Sequence, residues 1–155
     1  MGAGIEALEV WFRRVWIEAD PEAVSDLMSE QVSVHGLEES ELTGADEFLL
    51  FQRLIVAQFS DIRVSILQAV EEGEWVAARL NISAVHKSSG RAISGRSHVM
   101  CRFVDGTLVE GHNLVDLVQL FEQLGLLPER TVDQLLLGQR PRFTGRNQTG
   151  GSPES

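Results

Sequence analysis

Asp116 and His112 stand four residues apart near the end of an alternating apolar stretch, and a carboxylate and an imidazole can pass a proton between them. In a strand that spacing puts both side chains on one face. The carboxylate would then serve as a general base towards an acidic C–H, or as an acid towards a leaving oxygen. The imidazole would polarise a carbonyl or hold the carboxylate ionised. A plainer pair of roles stays open: Asp116 caps the helix that follows it, and His112 bonds a backbone carbonyl. Other chemistry has less footing. The four histidines, at 35, 86, 98 and 112, show no metal-ligand spacing. No glycine-rich loop follows a strand, and no Ser or Cys sits on a nucleophile elbow. The chemistry expected is proton transfer without metal or cofactor.

The elements that would position these groups follow from pattern. Asp105-Gly106 is a hairpin turn, since both central residues of a type I′ turn need positive φ. Residues 107–115 alternate as a strand. Leu117, Leu120, Phe121 and Leu124 then share one helical face, which Gly125 and Pro128 end. Upstream, residues 61–71, 74–87 and 91–104 read as strands divided by Glu72-Gly73 and Ser88-Ser89-Gly90, breaks too short for crossover helices. An uninterrupted register from the 105–106 turn sets His112 opposite Val99 and Leu114 opposite Ser97, with Asp116 on the same face. A three-residue loop at 88–90 adds Trp75, Ala77, Arg79 and Asn81 to that face, while His98 and Asn113 turn the other way. Arg79 could then anchor an anion or steer Glu110 in an ion pair. A slip of one residue at 88–90 would reverse Arg79 and Asn81.

The N-terminal half is predicted helical. Ile5, Leu8, Phe12, Val15, Trp16 and Ala19 repeat at helical spacing, with Trp11 widening the stripe. Asp20-Pro21 opens a short second helix to about residue 28, residues 31–37 form a short strand carrying His35, and Gly44-Ala45-Asp46 opens a third helix to residue 59. His35 falls at a pocket rim or simply in a loop. Helices first and strands later imply an α+β domain, a cone-shaped, curved antiparallel sheet packed against N-terminal helices. One domain over residues 1–137 is expected, with a Gly-, Pro- and Ser-rich disordered tail over 138–155.

A chain of 155 residues with 43% hydrophobic content can bury a core without staples. Its net charge of −10 disfavours nucleic acid, although the tail gathers Arg140, Arg142 and Arg146 against Glu154. The single cysteine, Cys101, suits a reducing compartment. The opening MGAGIEALEVWF lacks the basic and apolar regions of a signal peptide, and no stretch is long enough to span a membrane. A cytoplasmic location is expected.

The stretch VEGHNLVDLVQLFEQLGLLP resembles the C-terminal signature of the SnoaL-like polyketide cyclases, in the nuclear transport factor 2-like superfamily. Those proteins end in a strand of the form E-x-W-(D/N)-x-x-D, then a helix closing on Q-L-G. Glu110, Asn113, Asp116 and Gln123-Leu124-Gly125 match, while His112 replaces the tryptophan. The resemblance implies the nuclear transport factor 2-like fold and a pocket for an apolar or aromatic carbonyl ligand. It also implies that Asp116 shuttles a proton during cyclisation and that the first helix, with Trp16, borders the cavity. The chain has no tyrosine, so the phenolic oxyanion hole of the related ketosteroid isomerases is absent. The expected site is therefore Asp116 and His112 as acid–base pair, with Arg79, Asn81, His35, Trp16 and Val99 around the ligand. A non-catalytic ligand-binding or interaction module is the alternative, and a homodimer through the exposed sheet face is expected for either.

Overall fold

The structure, a computed structural model, describes residues 2–144. Contacts gather into two compact units, Met1–Val115 and Asp116–Ser155. The first holds α1 (Ala3–Phe12), α2 (Ala23–Leu27), β1 (Met28–His35), β2 (Leu42–Thr43), α3 (Ala45–Gln58), β3 (Phe59–Glu72), β4 (Trp75–His86), β5 (Ala92–Val104) and β6 (Thr107–Val115). The strands form one open, curved sheet in the order β2-β1-β6-β5-β4-β3. Pairing from β3 to β6 is the expected antiparallel meander. The exception lies at β1, which runs parallel to β6, so the sheet is not wholly antiparallel.

The core lies between the helices and one sheet face. Leu8, Trp11, Phe12, Val15 and Phe48 from the helices meet Val76, Ala78, Leu80, Val99, Cys101, Phe103 and Leu108 from the strands. These strand residues are alternate positions, as a sheet buried on one side requires. The long first helix expected from the stripe changes character at Arg13, and Arg13–Ile17 is π-helical. A widened turn of this kind alters the backbone pairing of an α-helix. Here the Gln52 side chain, 2% exposed, reaches from α3 and donates from Nε2 to the Val15 carbonyl at 2.8 Å. Arg14 closes the far side, its guanidinium 2.7 Å from Asp20 and 2.8 Å from Asp26. Its hydrogen bond, with that from the Glu22 N–H, holds the Asp20 carboxyl below the usual range.

In the second unit, α4 (Leu117–Gln123) is capped by Asp116, whose Oδ1 accepts from the Gln119 N–H at 3.2 Å. Gly125, at φ +75°, follows its end. A further helix, α5 (Thr131–Leu136), has no counterpart in the sequence reading. The expected disordered tail begins inside the described region, where residues 139–144 carry no helix or strand, and its remainder, 145–155, lies outside the described residues. No helix among the described residues is long and apolar enough to cross a membrane.

Gln52→Leu removes the donor for the Val15 carbonyl while keeping an apolar filler. It is expected to cost about 1–3 kcal/mol, read as a lower urea midpoint with an unchanged slope.

Candidate functional site

A small cavity of about 40 Å³ opens on the inner face of the sheet in the first unit. Trp11, Phe12 and Trp16 wall it from the first helical segment, Phe48 from α3, and Val34, Val99, Cys101, Leu108 and Gly111 from the strands. Its polar group is Asn113. The rings brace one another, with Trp11 and Phe48 centroids 5.3 Å apart and Trp16 at 6.1 Å from Phe48.

Asn113 is inward because β6 contains a bulge. Leu108 pairs with Phe103, as the turn dictates, but Glu110 then pairs with Arg102 and not with Cys101. Val109 is the extra residue, and beyond it every side chain faces opposite to the straight register. Asn113 therefore pairs with Val99 and joins the cavity, while His112 pairs with Met100 on the outer face. This corrects the expected placing of His112 beside Val99.

A second slip moves β4. His86 N–H donates to the Arg91 carbonyl at 2.8 Å, so the loop spans residues 87–90 and is one residue longer than expected. Arg79 consequently pairs with His98, and Asn81 with Arg96, which puts Arg79 and Asn81 on the outer face. Both are corrections to the expected ligand-facing set. Trp16 and Val99 line the cavity.

His35 contributes backbone. Its carbonyl accepts from Asn113 Nδ2 at 3.0 Å, which fixes the amide in place. Its ring lies outside, stacked on His112 with centroids 4.7 Å apart and planes 3° off parallel. Each ring meets a carboxylate, His112 Nε2 at 3.1 Å from Glu110 and His35 Nε2 at 3.5 Å from Glu41. No group of three or more His, Cys, Asp or Glu side chains among the described residues is placed to hold a metal ion. Within the cavity the ionisable side chain is Cys101, whose thiol burial pushes up to about 12, so it stays protonated at neutral pH. Asp116 belongs to the second unit, where its carboxylate caps α4.

The sequence reading missed Asn113 as a cavity residue. One signal was available, since an isolated glycine within a strand, here Gly111, often marks a bulge or a close backbone approach.

With fold and site in place, comparison becomes informative. The profile of the SnoaL-like polyketide cyclases matches residues 6–124. The chain belongs to this family. Among solved structures similar to this SnoaL-like chain is TsrD from Streptomyces laurentii, at 21% identity and a TM-score of 0.70, covering 82% of this chain and 98% of that one. IdmH from Streptomyces antibioticus, provisionally assigned as a polyketide cyclase, gives 21% identity, a TM-score of 0.69 and coverage of 80% and 99%. An epoxide hydrolase of M. tuberculosis gives 15%, 0.66, and 87% and 96%. At these identities the likeness establishes the fold. Comparison with curated proteins finds no significant match.

Gly36 secures the corner beside Asn113. It sits at φ +87°, and a Cβ there would lie 1.8 Å from the Asn113 carbonyl oxygen. Gly36→Ala is expected to lose at least about 1–3 kcal/mol. Thermal unfolding measures the loss, and amide exchange at β6 shows whether the damage centres on that corner.

Proposed function

We propose that this SnoaL-like chain binds a small, apolar and largely aromatic molecule at the inner-face cavity, with Trp16 moving to admit it. The carrying observation is the convergence of Trp11, Trp16, Phe48 and Val99 around the amide of Asn113. Apolar walls with few fixed polar groups are the usual make-up of small-ligand sites. A drug-sized ligand needs roughly 300 Å³ or more, so on this proposal the cavity of about 40 Å³ must enlarge to admit one. Trp16, half-buried at the π-helical turn, is the wall residue best placed to shift.

Gly111→Val tests the site without straining backbone. A Cβ at Gly111 meets its nearest neighbours at an ordinary contact distance of 3.9 Å, and the further methyls of valine would compete with a ligand for the cavity that Gly111 lines. The wild type is expected to bind naphthalene saturably by calorimetry, and Gly111→Val to lose at least tenfold in affinity. Equal binding by both would remove the cavity from the account.

A catalytic reading is favoured by one observation: Asp116 occupies the position of the motif's final aspartate, three residues beyond Asn113. On this reading it exchanges a proton with an apolar, polyketide-like carbonyl substrate in a cofactor-free cyclase, isomerase or hydrolase reaction. His112, on the outer face of the sheet, takes no part in this reading. Asn caps helices about as well as Asp. Asp116→Asn should thus preserve stability to within about 0.5 kcal/mol while abolishing turnover of a carbonyl substrate; unchanged turnover rejects the catalytic role.

The outer face suits a second copy of the chain. Exposed Val70 and Met100 form an apolar row. Glu72 and Glu110 lie to one side of it, with Arg102 between them paired to Glu74, and Arg79 and His98 lie to the other. A two-fold axis along that row would set the acidic side of one copy against the basic side of its partner. Met100→Asp is expected to convert a dimer to a monomer by light scattering, and a wild type that is monomeric at all concentrations rejects the pairing. The free thiol of Cys101 fits the reducing cytoplasm proposed as its location.

A further inference from the structure

We infer that the cavity selects ligands bearing a hydroxyl group, a phenol, enol or alcohol, over ligands whose polar atom is a carbonyl or ether oxygen alone. This rests on the ligand-binding reading above and specifies its ligand class. Asn113 is held in one orientation because Nδ2 donates to the His35 carbonyl at 3.0 Å, which a flipped amide could not do. The amide oxygen, Oδ1, accepts from no other described residue. It is therefore the acceptor that the protein leaves for something else to satisfy.

In the free protein the cavity that Asn113 lines has room for a water, since about 40 Å³ exceeds the space one water requires, and we take Oδ1 as that water's partner. A ligand that fills the apolar space expels such a water. If it brings no donor, Oδ1 is left buried and unpaired, and that desolvation is the costly case for a polar group. A hydroxyl avoids the loss by donating to Oδ1, and its own oxygen can accept from the second Nδ2 hydrogen. A lone carbonyl or ether oxygen can use only that hydrogen. Cys101 does not supply a substitute acceptor of comparable strength, because its thiol stays protonated and sulfur is a weak partner. The walls add size and flatness: Trp11, Trp16 and Phe48 favour a planar body.

The test compares phenol, anisole and toluene on the wild-type protein, following the Asn113 side-chain amide and the tryptophan indole signals by NMR titration. Phenol is expected to bind about tenfold or more tightly than either of the others, with a shift of the Asn113 amide that anisole and toluene do not produce. Asn113→Val should abolish the preference and leave toluene binding at least as tight. If that variant does not fold, the wild-type series decides alone. Equal affinity for all three probes, or a phenol preference without movement of the Asn113 amide, overturns the hydroxyl inference and leaves the ligand site standing. Failure of all three to bind overturns the ligand site and this inference together.

Discussion

One extra residue in β6 decides which side chains meet the cavity. Without Val109 in excess, the strand from the 105–106 turn onwards would present Glu110, His112 and Leu114 to the core and send Asn113 outward. With it, Gly111 and Asn113 face Val99 and Cys101, and a carboxylate and an imidazole are spared burial. Burying those two groups beside Trp11 and Phe48 would carry a large desolvation cost unless each were fully paired. The outer face lets them pair with each other while half-exposed, His112 at 3.1 Å from Glu110. The bulge thus satisfies two demands at once: a core free of charge and an amide at its polar edge.

That amide joins two strands as well as lining a cavity. Asn113 bonds the carbonyl at the end of β1, and Gly36 follows with no side chain to obstruct the approach. Because β1 runs parallel to β6, this corner receives chain from opposite ends of the first unit. On the helical side, Gln52 ties α3 to the π-helical turn that carries Trp16. The two walls of the cavity are therefore each fixed by a side-chain amide bonded to a backbone carbonyl. Between them, Trp16 is less enclosed than Trp11 and is the wall that the ligand-binding proposal requires to move.

Much of the fold was legible because hydrophobic period and turn chemistry are local signals. The helix at residues 45–58, the four long strands and the cap at Asp116 follow from apolar spacing, Asp105-Gly106 and the residue types at the helix start. The family signature added the class of protein, now supported over residues 6–124. Side-chain facing was less legible, for a physical reason. A strand has a period of two, so one inserted residue inverts everything beyond it. The bulge at Val109 did this for His112 and Asn113, and the longer loop at 87–90 did it for Arg79 and Asn81. Trp16 and Val99 kept their places because neither depended on those two registers. The helix at Thr131–Leu136 escaped notice because it is short and lies beyond Pro128, where the apolar pattern had been taken to end.

The most direct measurement is a proton NOESY spectrum of the unmodified protein with the His112 ring and the Asn113 side-chain amide assigned. Cross-peaks from the His112 ring to the His35 ring and to Met100, together with cross-peaks from the Asn113 amide to cavity residues such as Val34 and Val99, are the predicted pattern. Cross-peaks placing the His112 ring against Val99 or Trp11, with the Asn113 amide in fast exchange with water, would contradict it.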